Sequence, residues 1–251
     1  ISSYMTSEGQ LAASNHDVGE RISWTLRPVV SSKINLVIYE DGFKEDYPDT
    51  RKLPEIGEEV QVTEKIVQEE TLVKKIVSKR VDKIVTWQER REKMKGVCKN
   101  CHNQTHVNNF YQQFDNLVNL YDEKFAKPAQ AMMMALTEDG VLNPKAPFEH
   151  EAQWVFWELW HHEGRRARHG ASMMGPDYTH WHGMYEVAKH YYMKFLPAVI
   201  KAAAQKSDEM KTKYEQKIEE LLEREEHLWM KGLSEEETEV LKSTYKNRYN
   251  E

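Results

Sequence analysis

The stretch "VNNFYQQFDNLVNLYDEKFAKPAQAMMMAL" (Val107 to Leu136) sets the fold class of this 251-residue chain. Its pattern is strongly helical, and the turn signal "EDG" that follows it predicts where the helix ends. Segments with the same character predict further helices over 148–170, 178–206 and 208–231. Ser234 followed by Glu237 is a capping-box pattern that predicts one more short helix. The sequence therefore predicts a mostly α fold with little β structure.

The predicted helix over 208–231 carries a narrow apolar seam on an otherwise charged surface. Its members recur three, four or seven residues apart: Met210, Tyr214, Ile218, Leu221 and Leu228. Residues with this spacing lie on one face of a helix. We therefore expect this helix to pack against a partner helix.

The first third of the chain is less regular. "INLVIY" (Ile34 to Tyr39) is flanked by turn signals and is predicted to form a short strand. Between Glu58 and Val85 the apolar residues recur mostly at helical spacing, but their β-branched content favours strands. An amphipathic helix and a β-ribbon both remain open for this charged segment.

Composition argues against two classes of partner. The formal net charge is -6, and charges of both signs are mixed along the chain, so nothing predicts nonspecific binding to nucleic acid. No apolar run approaches the roughly 18 to 20 residues that a membrane-spanning helix requires. We expect neither a nucleic-acid partner nor a membrane span.

Both cysteines of the chain lie in "GVCKNCHNQTH" (Gly96 to His106). "CKNCH" matches C-x-x-C-H, in which two thiols bind the haem vinyl groups covalently and the adjacent histidine binds the iron, so Cys98, Cys101 and His102 are candidates for these roles. A zinc site would use the same cysteines with two histidines, but Cys101 and His102 are cramped neighbours as ligands. A redox-active cysteine pair is a further alternative, although the βαβ pattern expected around it is absent.

The chain contains more histidines than one haem iron can bind. Ten accompany His102, and the candidates for binding further irons are His16, His106, His161, His162, His169, His180, His182 and His190. Many lie in the aromatic segment 157–192, together with Arg165, Arg166 and Arg168. Guanidinium groups match carboxylate geometry, so these arginines are candidates for binding haem propionates. Taken singly, each histidine is more often an ordinary hydrogen-bonded residue.

Three segments make the chain resemble the octahaem hydroxylamine oxidoreductase family, which includes the hydrazine dehydrogenases of anaerobic ammonium oxidisers. They are "NHDVGERISWTLRP", "CKNCH" with "FYQQFDNLVNLYDEKFAKPA" after it, and "ELWHHEGRRARHGASMMGPDYTHWHGMYEVAKHYYMKFLP". The resemblance is to the C-terminal portion of the family's subunit. It covers most of the chain except the segment 58–85 and the charged tail.

The resemblance implies a multihaem cytochrome c domain. Each family subunit carries eight haems c, seven with two histidine ligands and one catalytic haem with an open iron position. In oxidative members a tyrosine of a neighbouring subunit is crosslinked to the catalytic porphyrin, and Tyr178 matches it. Cys98, Cys101 and His102 would hold the last haem of the chain. His16, His182 and one residue of the pair His161 and His162 would be distal ligands; His180 and His190 fit less well.

On this basis we expect four regions in the chain. They are a loop-rich haem-packing segment (1–57), a charged arm or insertion (58–90), a helical haem-binding domain (91–206) and charged C-terminal helices (207–251). Seven attachment motifs and the catalytic Asp-His pair of the family are missing. The chain therefore resembles part of a subunit, or a split partner, which needs an N-terminal multihaem portion.

The family implies oxidation of hydroxylamine to nitric oxide or nitrite, or of hydrazine to dinitrogen. The haems would pass electrons to a small acceptor cytochrome, in a trimer or a multiple of trimers. Haem c attachment implies a periplasmic or equivalent compartment, which is the anammoxosome lumen in an anaerobic ammonium oxidiser. A non-catalytic electron-transfer or assembly subunit is the main alternative. A reductive nitrite or hydroxylamine reductase is disfavoured by Tyr178.

Overall fold

The computed structural model describes residues 3–5, 11–13, 23–24, 28–68 and 71–249. Within these ranges the chain is mostly helical, with a small four-stranded sheet. The predicted mostly α fold class is therefore confirmed. The candidate haem ligand His16 lies outside the described residues.

The strands of the described ranges all precede the helices. They are β1 (Ser3–Met5), β2 (Leu11–Ala13), β3 (Ile34–Tyr39), β4 (Lys44–Pro48), β5 (Glu59–Gln68) and β6 (Thr71–Val85). β1 pairs with β2, while the other four form an antiparallel sheet in the order β4-β3-β6-β5. β3 has the predicted bounds. Its alternate side chains are buried, as expected for a strand with one face against a core.

The segment between 58 and 85 forms a β-hairpin, so the β-ribbon alternative is the correct one. β5 pairs along its whole length with residues 71–80 of β6, with Val62 opposite Val77 and Ile66 opposite Val73. The far end of β6 then pairs with β3, which makes the hairpin part of the sheet. β-branched side chains fit the pleated surface, and this preference outweighs the helical spacing.

One apolar cluster holds this sheet together. It consists of the buried side chains Val37, Tyr39, Tyr47, Val62 and Val81, which come from all four strands. The Tyr39 hydroxyl donates a hydrogen bond to Glu45, 2.7 Å away, and burial is the main cause of its raised pKa. The sheet therefore has its own small core.

Helices account for most of the chain after β6. The α-helices are α1 (Trp87–Cys98), α2 (Gln104–Tyr121), α3 (Lys127–Glu138), α4 (Glu151–Glu158), α5 (Gly164–Ser172), α6 (Pro176–Thr179), α7 (Glu186–His190), α8 (Leu196–Lys206), α9 (Asp208–Leu222) and α10 (Glu235–Tyr249). Capping boxes at Thr86 and Ser234 begin α1 and α10; the second was predicted. α10 runs for 15 residues, so it is longer than the short helix expected there.

Wider π-helical turns interrupt or join several of these helices. In the described part of the chain they are π1 (Asp122–Ala126), π2 (Leu159–Glu163), π3 (His180–Tyr185) and π4 (Tyr191–Phe195). Such turns are rare and often mark functional sites. Candidate haem ligands lie in two of them, His161 and His162 in π2, and His180 and His182 in π3.

The chain divides into two compact units, and each contains segments that are distant in sequence. The first unit comprises Ile1–Asn119 and Arg165–Gly183, and the second comprises Leu120–Gly164 and Met184–Glu251. The sheet, α1 and α5 belong to the first unit. α3, α4 and all elements from α7 onward belong to the second.

In the first unit, α1, α2 and α5 share apolar and polar contacts. Trp24 packs edge-on against Phe114 of α2, with ring centroids 6.4 Å apart, and Ala171 of α5 belongs to the same buried cluster. Arg91 of α1 forms a bidentate ion pair with Asp115 of α2, at 2.6 and 2.9 Å. Paired hydrogen bonds of this kind fix both distance and orientation.

In the second unit, α9 packs against α8 through the predicted seam. Tyr214, Ile218 and Leu221 are buried. The predicted helix over 208–231 is too long, because α9 ends at Leu222 and extended backbone at Arg224 separates it from a 3₁₀ helix (Glu225–Lys231). Leu228 is consequently 43% exposed and does not extend the buried seam.

None of the described helices is both long and apolar enough to cross a bilayer.

We expect Tyr214→Phe to lower the free energy of unfolding by about 1 kcal/mol, because it removes a buried hydroxyl group that donates to Asp139 at 2.8 Å. Lys213 and then Tyr214 hold the pKa of the Asp139 carboxyl below its ordinary value of 3.8. A lowered folded-state pKa stabilises the fold above that ordinary value, and the contribution is lost as the pH falls through the folded value. Chemical unfolding should therefore show an effect of Tyr214→Phe that becomes smaller as the pH falls below the ordinary value of 3.8 and through the lowered folded-state pKa of Asp139.

The matched control is Tyr185→Phe, the same change at a side chain that is 55% exposed. Tyr185→Phe should leave the free energy of unfolding nearly unchanged at every pH of the series. An equal loss in the two variants would contradict the assigned role of the Tyr214 hydroxyl.

Candidate functional site

The cysteine motif forms a tight turn at the end of α1. The backbone N–H groups of Cys101 and His102 both donate to the carbonyl of Cys98, at 3.1 and 2.9 Å. The Asn100 side chain donates to the carbonyls of Gly96 and Val97 and closes the last helical turn. This turn brings both cysteines into one short loop.

Both thiols of this turn are accessible. Cys98 is partly exposed, Cys101 is exposed, and the two do not form a disulfide. His102 is exposed as well, and its ring stacks on that of His106 with centroids 4.6 Å apart. Two accessible thiols followed by an accessible imidazole fit covalent attachment of a haem c. Within the described ranges, His, Cys, Asp and Glu side chains form no group of three or more that could hold a metal ion.

A second candidate region begins where α5 ends. The N–H of Gly175 donates to the carbonyl of Gly170 at 2.8 Å, and that of Met174 donates to Ala171 at 3.2 Å. This is the Schellman arrangement, in which the residue after the helix adopts a left-handed conformation. Met174 has a φ of 56°, which is uncommon for a residue other than glycine. Pro176 then begins α6, a position where its fixed φ suits a helix start.

Two glycines hold the backbone of Tyr178 close to α5. A methyl group on Gly170 would lie 2.7 Å from the backbone nitrogen of Thr179 and the carbonyl carbon of Tyr178. A methyl group on Gly183 would lie 2.4 Å from the backbone carbonyl oxygen of Tyr178 and 2.7 Å from the Cα of Ala167. These distances are too short for a side chain, so only glycine allows this approach. The backbone of Tyr178 is therefore fixed by packing on both sides.

The side chain of Tyr178, by contrast, is 58% exposed. It borders an open pocket of about 280 Å³ that is also lined by Arg165, Arg166 and His169. Partial desolvation lowers the pKa of His169, and the charges of Arg165 and Arg168 lower it further. The lowered pKa favours the neutral form of His169, and the formal positive charge of this pocket comes from the arginines.

Large apolar side chains near Tyr178 in the sequence are also exposed. Met173, Met174 and Trp181 are 64%, 56% and 63% exposed. Exposed apolar groups of this size, clustered within nine residues, are typical of a surface that binds another molecule. This exposed surface can make apolar contacts with another molecule. The pocket beside it adds the positive charges of Arg165 and Arg166.

Arg168 was a candidate propionate ligand together with Arg165 and Arg166. The structure places its side chain in a buried hydrogen-bond network instead. It is fully buried and donates to the Ser31 hydroxyl at 2.6 Å and to the Pro28 carbonyl at 3.3 Å. It does not line the pocket. Arg165 and Arg166 are the arginines that do.

His182 lies in π3, next to Tyr178 in space. Their ring centroids are 5.7 Å apart, and His182 is about half exposed. Its Nε2 atom lies 3.5 Å from a carboxylate oxygen of Asp177. Binding an iron through Nε2 would require the ring to turn away from Asp177, which its exposure allows.

In the second unit, π2 places two candidate ligands in different environments. His161 stacks on Trp157, with ring centroids 4.2 Å apart and planes inclined by 23°. His162 is half exposed, and its Nδ1 lies 3.2 Å from the buried carboxylate of Glu163. Histidines that bind a metal commonly donate one ring nitrogen to a carboxylate and bind with the other. This geometry favours His162 over His161 as a ligand.

Nothing in the sequence pattern indicates the role of Glu163. Its carboxyl group also lies 3.1 Å from Nδ1 of His190 in α7, so one buried carboxyl group contacts two imidazoles. Its position between "HH" and "GRR" makes it look like an ordinary charged residue of a helix. Only the extra residue of π2 distinguishes it, and apolar periodicity does not reveal π turns.

Comparison of this chain with family models, curated proteins and solved structures gave no match. The family expectation therefore rests on the quoted sequence motifs.

We expect Gly170→Ala to lower the free energy of unfolding by about 1 to 3 kcal/mol, because the added methyl group would overlap the backbone after Tyr178. Gly96→Ala is the matched control, since nothing lies within 4 Å of a methyl group there and α1 gains a better helix former. Urea unfolding should therefore give a lower free energy of unfolding than that of the unaltered chain for Gly170→Ala, and a higher one for Gly96→Ala. Equal stability of the two would show that the contact at Gly170 is not tight.

Met174→Gly should raise the free energy of unfolding by about 1 kcal/mol, because glycine adopts a positive φ without the steric cost that methionine incurs. Met173→Gly, one residue earlier and also at an exposed methionine, should lower it by a few tenths to about 1 kcal/mol. Thermal unfolding of the pair measures the difference. A loss of stability in both variants would argue against the left-handed conformation.

Proposed function

We propose that this chain is a portion of a multihaem c-type oxidoreductase that oxidises hydroxylamine or hydrazine. Tyr178 would be crosslinked to the catalytic haem of a neighbouring subunit. The observation that carries the proposal is the contrast at Tyr178 between a tightly packed backbone and a 58% exposed ring. A residue that reacts with another subunit needs both a fixed position and an accessible side chain.

The cysteine turn supports attachment of one haem to this chain. Cys98 and Cys101 would form the thioether bonds, and His102 would bind the iron. A bound haem supplies one-electron transfer, and a catalytic haem supplies in addition an open position for a nitrogen substrate. The chain itself contributes accessible thiols held in one turn and an imidazole directly after them.

The pocket beside Tyr178 would receive the acidic edge of a porphyrin. Propionates are carboxylates, and Arg165 and Arg166 offer planar groups that bind carboxylates through two hydrogen bonds. The exposed Met173 and Trp181 would contact the apolar part of the macrocycle or the surrounding protein. Neutral His169 would add a polar contact without adding charge.

The distal ligands would be His182, His16 and, of the π2 pair, His162. Glu163 fixes Nδ1 of His162 and directs Nε2 away from itself, which favours binding through Nε2. His16 is proposed from the sequence resemblance alone. The proposed partners are further copies of the subunit in a trimer or a multiple of trimers, an N-terminal multihaem portion and a small acceptor cytochrome. The compartment would be periplasmic or equivalent, as haem c attachment requires.

A non-catalytic electron-transfer or assembly subunit is the second candidate. The observation that favours it is the single attachment motif in 251 residues, which by itself supplies one redox centre. The two functions differ in whether the native assembly has an iron with an open coordination position. Binding of carbon monoxide to the reduced native assembly distinguishes them, because it requires such a position.

We expect peptide mass spectrometry of the natively purified protein to find haem at two places. Cleavage after Lys and Arg separates Cys98 from Cys101, so a doubly attached haem would join the peptides 96–99 and 100–124. The same digestion places Tyr178 in the peptide 169–189. This peptide should carry a porphyrin bound through the tyrosine ring, since the ring is exposed.

The matched variants are Tyr178→Phe and Tyr185→Phe, two exposed tyrosines seven residues apart. Tyr178→Phe should retain the haem on the cysteines and reduce hydroxylamine or hydrazine oxidation to background. Tyr185→Phe should retain the crosslink and the activity. Haem on the cysteines with an unmodified Tyr178 in the native protein would overturn the oxidative proposal and favour the electron-transfer or reductive alternatives.

A further inference from the structure

Within the described chain beyond α9, His227 is the one buried side chain. It lies in the 3₁₀ helix and is 0% exposed. From 223 to 248 every other described side chain is exposed except that of Thr238, which is half-buried. A segment with so little buried surface belongs to the least stable part of a fold and opens most easily. The state of His227 therefore has a large influence on whether this segment stays docked.

His227 docks the 3₁₀ helix on π4 of the second unit. Its Nδ1 lies 2.7 Å from the hydroxyl oxygen of Tyr192, and its ring is nearly parallel to that of Tyr191, with centroids 6.1 Å apart. Trp229 adds an edge-on contact with Tyr192, at 5.2 Å between centroids. Lys124 of π1 lies 5.4 Å from the centre of the Trp229 ring. The contacts are aromatic, with one hydrogen bond to the imidazole.

The second ring nitrogen of His227 cannot support a charge. Nε2 is buried without a hydrogen-bond partner among the described residues, and so is the hydroxyl of Tyr191. A neutral imidazole carries one N–H donor, whereas the protonated ring carries a donor on each nitrogen. Protonation in the docked position would therefore bury a charge and leave a donor without an acceptor. Both consequences are unfavourable in apolar surroundings.

The ionisable groups around His227 do not compensate for this burial. Desolvation is the main cause that lowers its pKa below the ordinary value of 6.5. Glu226 opposes this shift, while Lys124 of π1 and Arg224 reinforce it. The two tyrosines of π4 contribute no negative charge near neutral pH, because burial raises the pKa of both hydroxyls. The docked imidazole is therefore held in its neutral form.

We propose that residues 225–249 form a strap that His227 holds on the second unit at neutral pH and releases on acidification. Once released, His227 regains a pKa near 6.5 and takes up a proton that the docked ring resists. The docked state is therefore most stable above this value and loses stability as the pH falls below it, towards the lowered docked pKa. Release would uncover the buried rings of Tyr191 and Tyr192.

Hydrogen exchange of the natively purified full chain, read by peptide mass spectrometry, tests this release. Protection factors, corrected for the pH dependence of chemical exchange, are compared at about pH 7.5 and pH 5.5. Uptake of one proton should lower the protection of residues 225–231 by up to about tenfold between these values. The amides of α3, in the same unit, should keep their protection.

His227→Asn is the direct variant, since its amide can replace Nδ1 as the partner of Tyr192 but cannot take up a proton. It should abolish the pH dependence of protection over 225–231. His180→Asn is the matched control at an exposed histidine and should retain it. If His227→Asn leaves the strap unprotected at both pH values, this supports the anchoring role, and a second pair of variants tests the titration.

The second pair removes the opposing charges that act on His227. Lys124→Gln should reduce the acid-induced loss of protection, because a cation no longer disfavours protonation of the docked ring. Glu226→Gln should increase that loss, because an anion no longer favours it. The ratio of protection between the two pH values is the readout, so a uniform change in docking does not affect the comparison.

Three results would overturn the proposal. They are protection over 225–231 that does not change with pH in the unaltered chain, an equal loss in α3, and a loss that persists in a docked His227→Asn variant. A shift of the Lys124→Gln and Glu226→Gln variants in the same direction would also contradict it. The strap contains none of the proposed haem ligands, so this outcome is independent of the proposed function.

Discussion

The close approach of α5 to the backbone around Tyr178 is the constraint on which the candidate site depends. Gly170 and Gly183 leave no room for a methyl group, so the two segments are in direct backbone contact. The Schellman turn at Met174 and the proline after it supply the sharp change of direction that this contact needs. The exposed tyrosine, the arginine pocket and the apolar surface around it all follow from this geometry.

Sequence patterns correctly predicted the features that depend only on residues close together in the chain. The bounds of β3 follow from alternation between two turns, and the start of α10 follows from a capping box. The buried seam of α9 follows from helical spacing. In each case the residues that determine the structure are close together in the chain, so their pattern is sufficient.

The remaining features depend on tertiary contacts or on geometry that leaves no periodic signal. The segment that forms β5 and β6 has helical spacing, yet pairing with β3 and β-branched side chains make it a hairpin. α9 ends at Leu222 without a glycine or proline to indicate it. Arg168 belongs to a buried network, not to the pocket, because Ser31 and Pro28 are placed beside it by the fold. For the candidate site, sequence identified the residue types, and only the structure shows their contacts.

The π turns have a consequence for how this region of the chain tolerates change. A π turn contains one more residue than the α-helical turn it replaces, so each one offsets the faces of the helix after it by about 100°. Removing a single residue from π2 would let an ordinary helix form, but Glu163 and the residues beyond it would then face a new direction. Deletions here would thus preserve helix content while rotating functional side chains. The number of residues in each of the four π turns is therefore constrained as strictly as the identity of those residues.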